Sequence, residues 1–362
     1  MKILVLASAA RTSGALTIYK QFLFHLPKHL KGNEYYIFVD PGMPQPELEN
    51  VKYIHDSNHT YRHRIYMDRA GYMIEMTRRG LSPDVVFSLQ NTGCITKCKQ
   101  VIYYHQSLPF YPHKWNPFKK PERTMFLYKY FYPLLVKRTL NKDTEVVVQI
   151  PFIKRGFVKR FKYDSNRVHV AFPDIEKIDV DNIVAHNFNN GCFNFIFPAG
   201  ALPYKGHMTI VKALDEIRKI DQVLAEKVLV HFTIESSSYP ELYKQITSKN
   251  LIKNFVFHGT LPHKELLSFY KGSNGLLYPS TIETLGLPLL EAAAFGLPIL
   301  AANLDYAHEV IGTYKGVEFA PPHQYKVWAE KIYKLCINQV RYLPVRMKES
   351  EWTKVFELIT KD

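Results

Sequence analysis

Short apolar runs and amphipathic stretches alternate along the whole chain. Runs of strand length occupy residues 2–10, 34–39, 84–89, 101–105 and 145–149, and a second series occupies residues 193–200, 228–234, 254–259, 275–279 and 298–303. Stretches with helical periodicity lie between them, at residues 14–30, 59–79, 122–140, 207–220, 240–249, 263–271, 288–295 and 305–311. Such alternation predicts parallel sheets covered by helices on both faces. Because the pattern restarts near residue 190, it predicts two α/β domains.

The domain boundaries follow from this restart. We expect an N-terminal domain over residues 1–172, a polar linker over 173–191 that ends in HNFNNG, and a C-terminal domain over 192–340. The tail, residues 341–362, contains an amphipathic helix with one apolar side, made of Trp352, Val355, Phe356 and Ile359. The pattern alone allows this helix to pack wholly on the second domain.

The first apolar run, MKILVLASAA, has two interpretations. It resembles a short signal peptide, and it equally suits the first strand of a parallel sheet. We favour the strand, because the rest of the pattern uses this element. No run approaches the roughly 20 apolar residues of a membrane-spanning helix.

Four cysteines form no disulfide framework, and Cys94 and Cys98 lack the paired partners of a zinc site. A reducing cytoplasm is the simplest inference.

Positive charge is concentrated in the N-terminal half. The formal net charge is +14; residues 1–190 hold 28 Lys and Arg against 16 Asp and Glu, and the remaining residues hold 19 against 17. An anionic partner for the first half is the physical expectation. Nucleic acid and an anionic membrane surface are both candidates.

Two loops at strand ends carry candidate chemistry, because open α/β sheets bind ligands beyond the carboxyl ends of their strands. The first is PAGALPYKGH, residues 198–207, where Gly200 allows close backbone approach and Lys205 reaches a phosphate. A helix that starts near Gly206 adds free amides and the positive end of its dipole. The alternative is an ordinary turn with a surface lysine.

The second loop opens the stretch STIETLGLPLLEAAAFGLPIL, residues 280–300. Glu283 lies in the loop, and Glu291 lies one turn inside a helix that begins near Leu287 or Pro288. The amides of residues 284–287 point into the same space and suit a diphosphate, while the carboxylates suit hydroxyls of a ribose and a sugar. The alternative is that both glutamates only favour the helix dipole.

The stretch ETLGLPLLEAAAFGLPIL, with seven residues between Glu283 and Glu291, resembles the motif of retaining glycosyltransferases of family 4. The resemblance extends to YKGH at 204–207, VFHGTLPHKELLSFYKGSNGLLYPS at 256–280 and VIYYHQSLPF at 101–110. It covers the C-terminal domain well and the N-terminal domain loosely. It implies an α/β fold of the GT-B type, in which two Rossmann-like domains with parallel sheets face each other across a cleft. The second domain would hold the nucleotide sugar, the first the acceptor, and the C-terminal helix would return towards the first domain.

The resemblance also implies roles for single residues. Glu291 would bind the ribose, Glu283 the transferred sugar and Lys205 the diphosphate. Leu285 and Gly286 would supply backbone amides, beside the close backbone approach at Gly200 and the amide of Thr284 noted above. His105 resembles the family histidine that reaches the donor sugar, and Gly14 matches the loop that approaches the donor phosphate or the acceptor. One departure is Ala201, which stands where the family often has an arginine of the diphosphate loop.

The implied activity is that of a retaining hexosyltransferase in bacterial surface polysaccharide biosynthesis, either O-antigen or capsule. A nucleotide sugar is the donor, and a saccharide, often lipid-linked in this family, is the acceptor. We expect no cofactor and no metal. No Asp-x-Asp triplet is identified that would hold a divalent ion, so Lys205, amides and dipoles would neutralise the diphosphate. Residues 123–140 and 151–162 mix basic and aromatic side chains as interfacial helices do. They predict peripheral association with the inner face of the cell membrane, unless both are ordinary helices buried on one face.

Three other functions fit parts of the sequence. A nucleic-acid-binding protein suits the charge, but no recognisable RNA- or DNA-binding motif is present and the basic residues form no compact stripe. A sugar-nucleotide epimerase on the same scaffold would need no acceptor. An inactive sugar-nucleotide-binding protein is consistent with Ala201 in place of arginine.

Overall fold

The structure, a computed structural model, describes residues 1–11, 13–119, 122–346 and 348–361. The chain divides into two compact units, one formed by Met1–Ile175 with Lys348–Asp362 and the other by Glu176–Met347. Each unit contains one parallel sheet. Most strand residues are buried, as expected where helices cover both faces of a parallel sheet.

In its described residues, the first unit contains seven strands and, from the N-terminal part of the chain, six helices. The strands are β1 (Lys2–Leu6), β2 (Glu34–Val39), β3 (Val51–His55), β4 (Val85–Ser88), β5 (Lys99–Tyr103), β6 (Glu145–Val148) and β7 (Val168–Val170). The helices are α1 (Ser13–His25), α2 (Tyr61–Tyr66), α3 (Tyr72–Arg78), α4 (Arg123–Tyr130), α5 (Tyr132–Thr139) and α6 (Pro151–Phe161). The strand order is β3-β2-β1-β4-β5-β6-β7, so β1 and β4 form the centre of the sheet.

The second unit repeats this plan with six strands. The strands are β8 (Phe193–Phe197), β9 (Val228–Phe232), β10 (Phe255–Phe257), β11 (Gly275–Tyr278), β12 (Ile299–Ala302) and β13 (Val317–Ala320). The helices are α7 (His207–Ile220), α8 (Gln222–Glu226), α9 (Pro240–Ser248), α10 (His263–Gly272), α11 (Leu287–Ala294), α12 (Asp305–Ile311) and α13 (Tyr325–Ile337). The order is β10-β9-β8-β11-β12-β13, with β8 and β11 adjacent at the centre. Their carboxyl ends carry the Lys205 and Glu283 loops.

All strands predicted from the apolar runs are present, and the first run is a central strand. Three further strands, β3, β7 and β13, were not predicted. Each is an edge strand of its sheet, and β3 and β13 are largely exposed or half-buried. Edge strands bury less of their surface, so their sequences lack the continuous apolar run that marked the central ones.

Two predicted helices are interrupted. Residues 59–79 form α2 and α3 joined by a π-helical turn, Met67–Gly71. Residues 122–140 form α4 and α5, which divide at Phe131. Pro133 explains this division, because its ring lacks an N–H and clashes with the carbonyl four residues earlier.

The C-terminal helix α14 (Trp352–Thr360) packs on the sheet of the first unit. Its apolar side is the one predicted, and Trp352 and Phe356 are fully buried. The Phe356 ring stacks on Phe22 with centroids 5.6 Å apart, and the Trp352 ring stacks on Tyr103 at 5.5 Å. This helix therefore completes the core of the unit that begins the chain.

The segment predicted as a linker, residues 173–191, is held mostly by the second unit. The His186 backbone N–H donates to the Ser268 carbonyl at 2.9 Å, and the His186 ring stacks on Phe269 at 4.1 Å. Lys271 donates to the Val180 carbonyl at 2.7 Å. Because these contacts lie on α10, residues 176–191 are counted with the second unit.

None of the helices in the described part of the chain has the length and apolarity needed to cross a membrane. Across the same ranges, no three His, Cys, Asp or Glu side chains are grouped as a metal would need.

Candidate active site

Lys205 and Glu283 meet at the carboxyl edge of the second sheet. The Lys205 ammonium lies 2.5 Å from Glu283 Oε1, and the two side chains are only 16% and 12% exposed. Lys205 ends a short 3₁₀ turn after β8, and Glu283 lies in the loop after β11. The sequence placed both at this edge, and the structure brings them into direct contact.

Tyr278 is a third member of this cluster. Its hydroxyl donates to Glu283 Oε1 at 2.6 Å, and its side chain is fully buried at the end of β11. Burial and the Glu283 carboxylate hold the pKa of Tyr278 well above its ordinary value, so the phenol stays protonated. Sequence reasoning missed this residue, although it ends the strand that leads into the Glu283 loop.

The two loops are bound to each other by their backbones. The Thr281 N–H and hydroxyl both donate to the Tyr204 carbonyl, at 2.8 and 3.1 Å. Gly206 has a φ of +83°, and a Cβ there would lie 2.7 Å from the Pro279 carbonyl oxygen. Only glycine therefore lets the Lys205 turn approach the β11 loop this closely.

Helix α11 begins at this edge. Gly286 caps it with a φ of +74°, Leu287 is its first residue, and Pro288 lies in the first turn, where proline needs no N–H partner. Thr284, Leu285 and Gly286 lead into the helix, so their amides lie at the positive end of its dipole. This end of the loop suits an anion.

Glu291 lies one turn inside α11 and is 9% exposed. Its Oε2 accepts a hydrogen bond from the Tyr270 hydroxyl at 3.0 Å, and its Oε1 lies 3.1 Å from His263 Nε2. His263 also lies 3.2 Å from Glu176, and its hydrogen bond to Glu291 raises the pKa of its imidazole. A ribose bound by Glu291 would therefore share the carboxylate with His263.

The sequence did not identify His263 and Tyr270 as partners of Glu291. Both lie in the predicted helix 263–271 and are seven residues apart, a spacing that places them on one helix face. Within the described residues, the side-chain hydrogen bonds of Glu291 go to these two side chains, and the side-chain hydrogen bond of Lys205 goes to Glu283. The predicted site thus contains two hydrogen-bonded groups on the second unit.

Gly200 and Ala201 occupy the start of the first loop. Gly200 is exposed, and a Cβ there would meet no atom within 4 Å. Ala201 packs against the core of the second unit, at the position where the resemblance expects an arginine.

His207 lies beneath the loop among Phe197, Phe232 and Tyr239. Burial lowers the pKa of His207 to about 3.

His105 follows β5 in the first unit and is positioned by Asn91. Asn91 Oδ1 accepts the His105 backbone N–H at 2.6 Å, which turns the amide nitrogen towards His105 Nε2 at 3.2 Å. Since Nε2 accepts that bond, Nδ1 carries the proton of the neutral ring. Burial lowers the pKa of His105 to about 4. Within the described residues, Nδ1 is buried without a hydrogen-bond partner.

Gly14 lies in the first turn of α1, after the carboxyl end of β1. A Cβ at this position would meet no atom within 4 Å. The surrounding protein therefore does not require glycine there.

The sequence contains one Asp-x-Asp triplet, Asp179 to Asp181, which the sequence reasoning passed over. Both carboxylates are exposed, and the intervening Val180 lies against Lys271 near the end of α10. His263, which contacts Glu291, begins the same helix eight residues earlier, about 12 Å along its axis. The triplet thus lies beside a lysine, away from the Glu291 cluster.

The chain resembles known proteins in part of its sequence and in its fold. Residues 181–351 match the family model described as glycosyl transferases group 1. The O-antigen chain mannosyltransferase RfbU of Salmonella typhimurium is 22% identical over 222 residues, which are 61% of this chain and 58% of that protein. This chain therefore spans less than two thirds of that relative's length.

Two solved structures share the fold. WaaG, a glycosyltransferase involved in lipopolysaccharide biosynthesis, superposes with a TM-score of 0.67 at 15% identity, covering 100% of both chains. HepE of Anabaena, in complex with UDP and glucose, has a TM-score of 0.60 at 16% identity and covers 93% of this chain and 90% of its own. The predicted GT-B fold is confirmed. The family match covers residues 181–351, a little under half of the chain, so the similarity to group 1 glycosyltransferases belongs to that part.

Proposed function

We propose that this protein is a retaining glycosyltransferase of bacterial surface polysaccharide assembly. It transfers a sugar from a nucleotide-sugar donor to a saccharide, carried on a lipid, during O-antigen or capsule synthesis. The observation that carries the proposal is the Lys205–Glu283 pair at the carboxyl edge of the second sheet. The similarity to RfbU, an O-antigen chain mannosyltransferase, and to WaaG, which is involved in lipopolysaccharide biosynthesis, supports the pathway.

The donor would be held by the second unit. Glu291 binds the ribose hydroxyls, Lys205 binds the diphosphate, and amides of Gly200 and of residues 284–286 add hydrogen bonds to it. The UDP and glucose bound by HepE support a nucleotide sugar as the ligand class. Gly14 of the first unit contributes its open backbone to the donor phosphate or the acceptor.

The transfer step needs no metal in this proposal. The bond between the anomeric carbon and the diphosphate breaks, and Lys205 with the loop amides stabilises the charge that develops on the phosphate oxygen. Glu283 and His105 orient sugar hydroxyls. The acceptor hydroxyl attacks from the same face, and the departing phosphate oxygen takes its proton, so the configuration is retained without a protein nucleophile.

The basic first unit would lie against the inner, cytoplasmic face of the membrane. Helices α4 and α5 keep Leu127, Phe131 and Leu134 about half exposed beside lysines and arginines. Helix α6 differs, because Ile153, Phe157 and Phe161 are buried and, apart from Pro151, its exposed residues are basic. The proposed apolar contact with lipid therefore belongs to α4 and α5, and α6 contributes charge alone.

A donor screen tests the proposal. We expect one of the UDP-, GDP- or ADP-sugars to raise the melting temperature, because a ligand that binds only the folded state stabilises it. The same donor should label a lipid-linked saccharide acceptor with retained anomeric configuration. Epimerised donor without an acceptor would indicate the epimerase instead, and binding without any turnover would indicate the inactive sugar-nucleotide-binding protein.

A further inference from the structure

A groove of about 410 Å³ lies on the first unit, apart from the groups assigned above. Its origin is the connection between the parallel strands β4 and β5. Such a crossover usually carries a helix, but residues 89–98 form none. The strip beside this connection is bordered by α2 with its π turn and by α5, which both contribute residues to the groove.

The walls of the groove are apolar. Ile65 comes from α2, Ile95 from the connection and Leu135 from α5. Ile65 and Ile95 are 44% and 53% exposed, which is high for isoleucine. These side chains would gain from contact with a hydrocarbon.

The groove has three charged residues: one aspartate that is paired with an arginine, and two arginines that have no ionic partner among the described residues. Asp68 lies 2.9 Å from Arg64 Nε and accepts a hydrogen bond from the Thr92 hydroxyl at 2.8 Å, so it is paired with a cation inside the protein. Arg69 and Arg138 are exposed, and within the described residues neither forms a salt bridge. The groove therefore presents positive charge above apolar walls.

We propose that this groove binds a lipid phosphate, with the phosphate between Arg69 and Arg138 and the first carbons of the tail against Ile65, Ile95 and Leu135. Guanidinium groups match phosphate oxygens in geometry and charge. A free phosphate would leave the isoleucines exposed, and a neutral hydrocarbon would leave the arginines without an anion. The choice of ligand rests on the proposed lipid-linked acceptor, since the groove would hold the carrier of the saccharide.

Binding of dodecyl phosphate to the full chain, below its micelle concentration, tests the proposal by calorimetry. We expect saturable binding that inorganic phosphate at the same concentration does not reproduce and that uncharged dodecyl maltoside reproduces only weakly. Arg69→Gln with Arg138→Gln should raise the Kd by at least about tenfold, the scale of lost charge-assisted hydrogen bonds. Ile95→Ser should raise it by about fivefold.

Matched variants distinguish binding in the groove from general attraction to the basic surface. Arg62→Gln with Lys137→Gln removes two charges from the same two helices, outside the groove, and should change the Kd by less than about twofold. Ile74→Ser, on α3, is the control for Ile95→Ser. Equal losses in the control and groove variants, or equal binding of inorganic phosphate, would overturn the proposal.

The test is independent of the transferase reaction. The donor-induced rise in melting temperature should persist in the Arg69 and Arg138 double variant, because the donor groups lie on the second unit. If the proposed function fails, no donor shift appears while dodecyl phosphate still binds. If the groove proposal fails, the donor shift and transfer remain while dodecyl phosphate binding is absent or insensitive to Arg69 and Arg138.

Discussion

The Lys205–Glu283 contact is the residue pair on which the proposed chemistry depends. Both side chains are less than a fifth exposed, so neither charge is fully solvated. Removing one partner leaves the other with an uncompensated charge, which costs more than the loss of a surface pair. Tyr278 adds a second hydrogen bond to the same carboxylate oxygen. The cluster is therefore held together by hydrogen bonds among its own side chains.

Substitution of either partner should abolish most of the activity. We expect Lys205→Ala and Glu283→Ala each to lower kcat by at least about 10²-fold, the scale of one lost preorganised electrostatic contact. Steady-state kinetics with the donor found in the screen measures this, with melting temperatures to confirm folding. Lys331 and Glu318 lie 2.6 Å apart in the same unit, with side chains 27% and 47% exposed, and provide the control. Wild-type kcat from both site variants would refute the assigned site.

The His263–Glu291 contact predicts a pH-dependent contribution to stability. The pKa of His263 is raised in the folded protein, chiefly by its hydrogen bond to Glu291. Protonated His263 therefore contributes its full stabilisation below the unfolded pKa of about 6.5. This contribution is lost as the pH rises through the folded pKa. We expect His263→Gln to lower the free energy of unfolding more at about pH 5.5 than at about pH 9.

Urea unfolding of wild type and variant at both pH values measures this difference. His308 bonds to the Asn303 amide rather than to a carboxylate, so His308→Gln is the control. A difference between wild type and His263→Gln that stays constant, or grows with pH, would contradict the prediction.

Some of the site residues could be predicted from the sequence, and others could not. Glu283 and Lys205 follow strands whose apolar runs are clear in the sequence. Because open α/β sheets bind ligands beyond the carboxyl ends of their strands, the sequence was enough to predict both residues at this edge. Tyr278, His263 and Tyr270 were missed because aromatic and histidine residues on an apolar face usually belong to the core. Their role became evident only from hydrogen bonds to the two glutamates.

At the scale of elements, the Lys205 turn and the β11 loop act as one piece. Their backbone hydrogen bonds and the close approach of Gly206 to Pro279 fix the position of Lys205. Gly206 and Gly80 both have positive φ values, of +83° and +69°. They differ in their surroundings, since a Cβ at Gly80 would meet no atom within 4 Å.

This contrast predicts different costs for the same substitution. Gly80→Ala should lower the free energy of unfolding by about 1 kcal/mol, the cost of left-handed backbone. Gly206→Ala should lower it by about 3 kcal/mol, because the new methyl also forces the two loops apart. Denaturant unfolding gives both values, and donor KM should rise only for Gly206→Ala. Equal costs would show that the loop contact contributes nothing.

The elements themselves were predictable where burial is uniform. Central strands and α7 were located closely because their apolar positions are continuous or strongly periodic. Edge strands β3, β7 and β13 were missed because half-buried strands carry weaker patterns. The π turn at Met67–Gly71 leaves no signal in a hydrophobic periodicity of 3.6 residues per turn. Its one extra residue only shifts which later positions of the helix are apolar.

At the scale of the whole molecule, each unit has its own sheet and core, and the last helix belongs to the first core. Trp352, Val355 and Phe356 join residues of β1, β4 and β5 although they are hundreds of residues away in the chain. The amphipathic pattern predicted the helix and its apolar side. It could not identify the surface that this side covers, because many exposed apolar surfaces would satisfy the same periodicity.

The uneven charge predicts selective binding of the whole protein to anionic membranes. Most of the excess positive charge lies in residues 1–190, and α4 and α5 keep half-exposed apolar side chains beside it. We expect sedimentation with vesicles that contain anionic lipid, little sedimentation with neutral vesicles, and weaker binding at high salt because counterions screen surface charges. Binding that is indifferent to lipid charge would end this prediction.

Two double variants distinguish insertion of specific side chains from attraction by charge alone. Phe131 and Leu134 are 54% and 55% exposed, and we expect Phe131→Ser with Leu134→Ser to reduce the sedimented fraction at fixed salt. Ile220 and Val223 are both 69% exposed on the nearly neutral half of the chain, so their serine variants should sediment like wild type. Equal binding by both double variants and wild type would mean that charge alone holds the protein at the membrane, and α4 and α5 would then not enter the lipid interface.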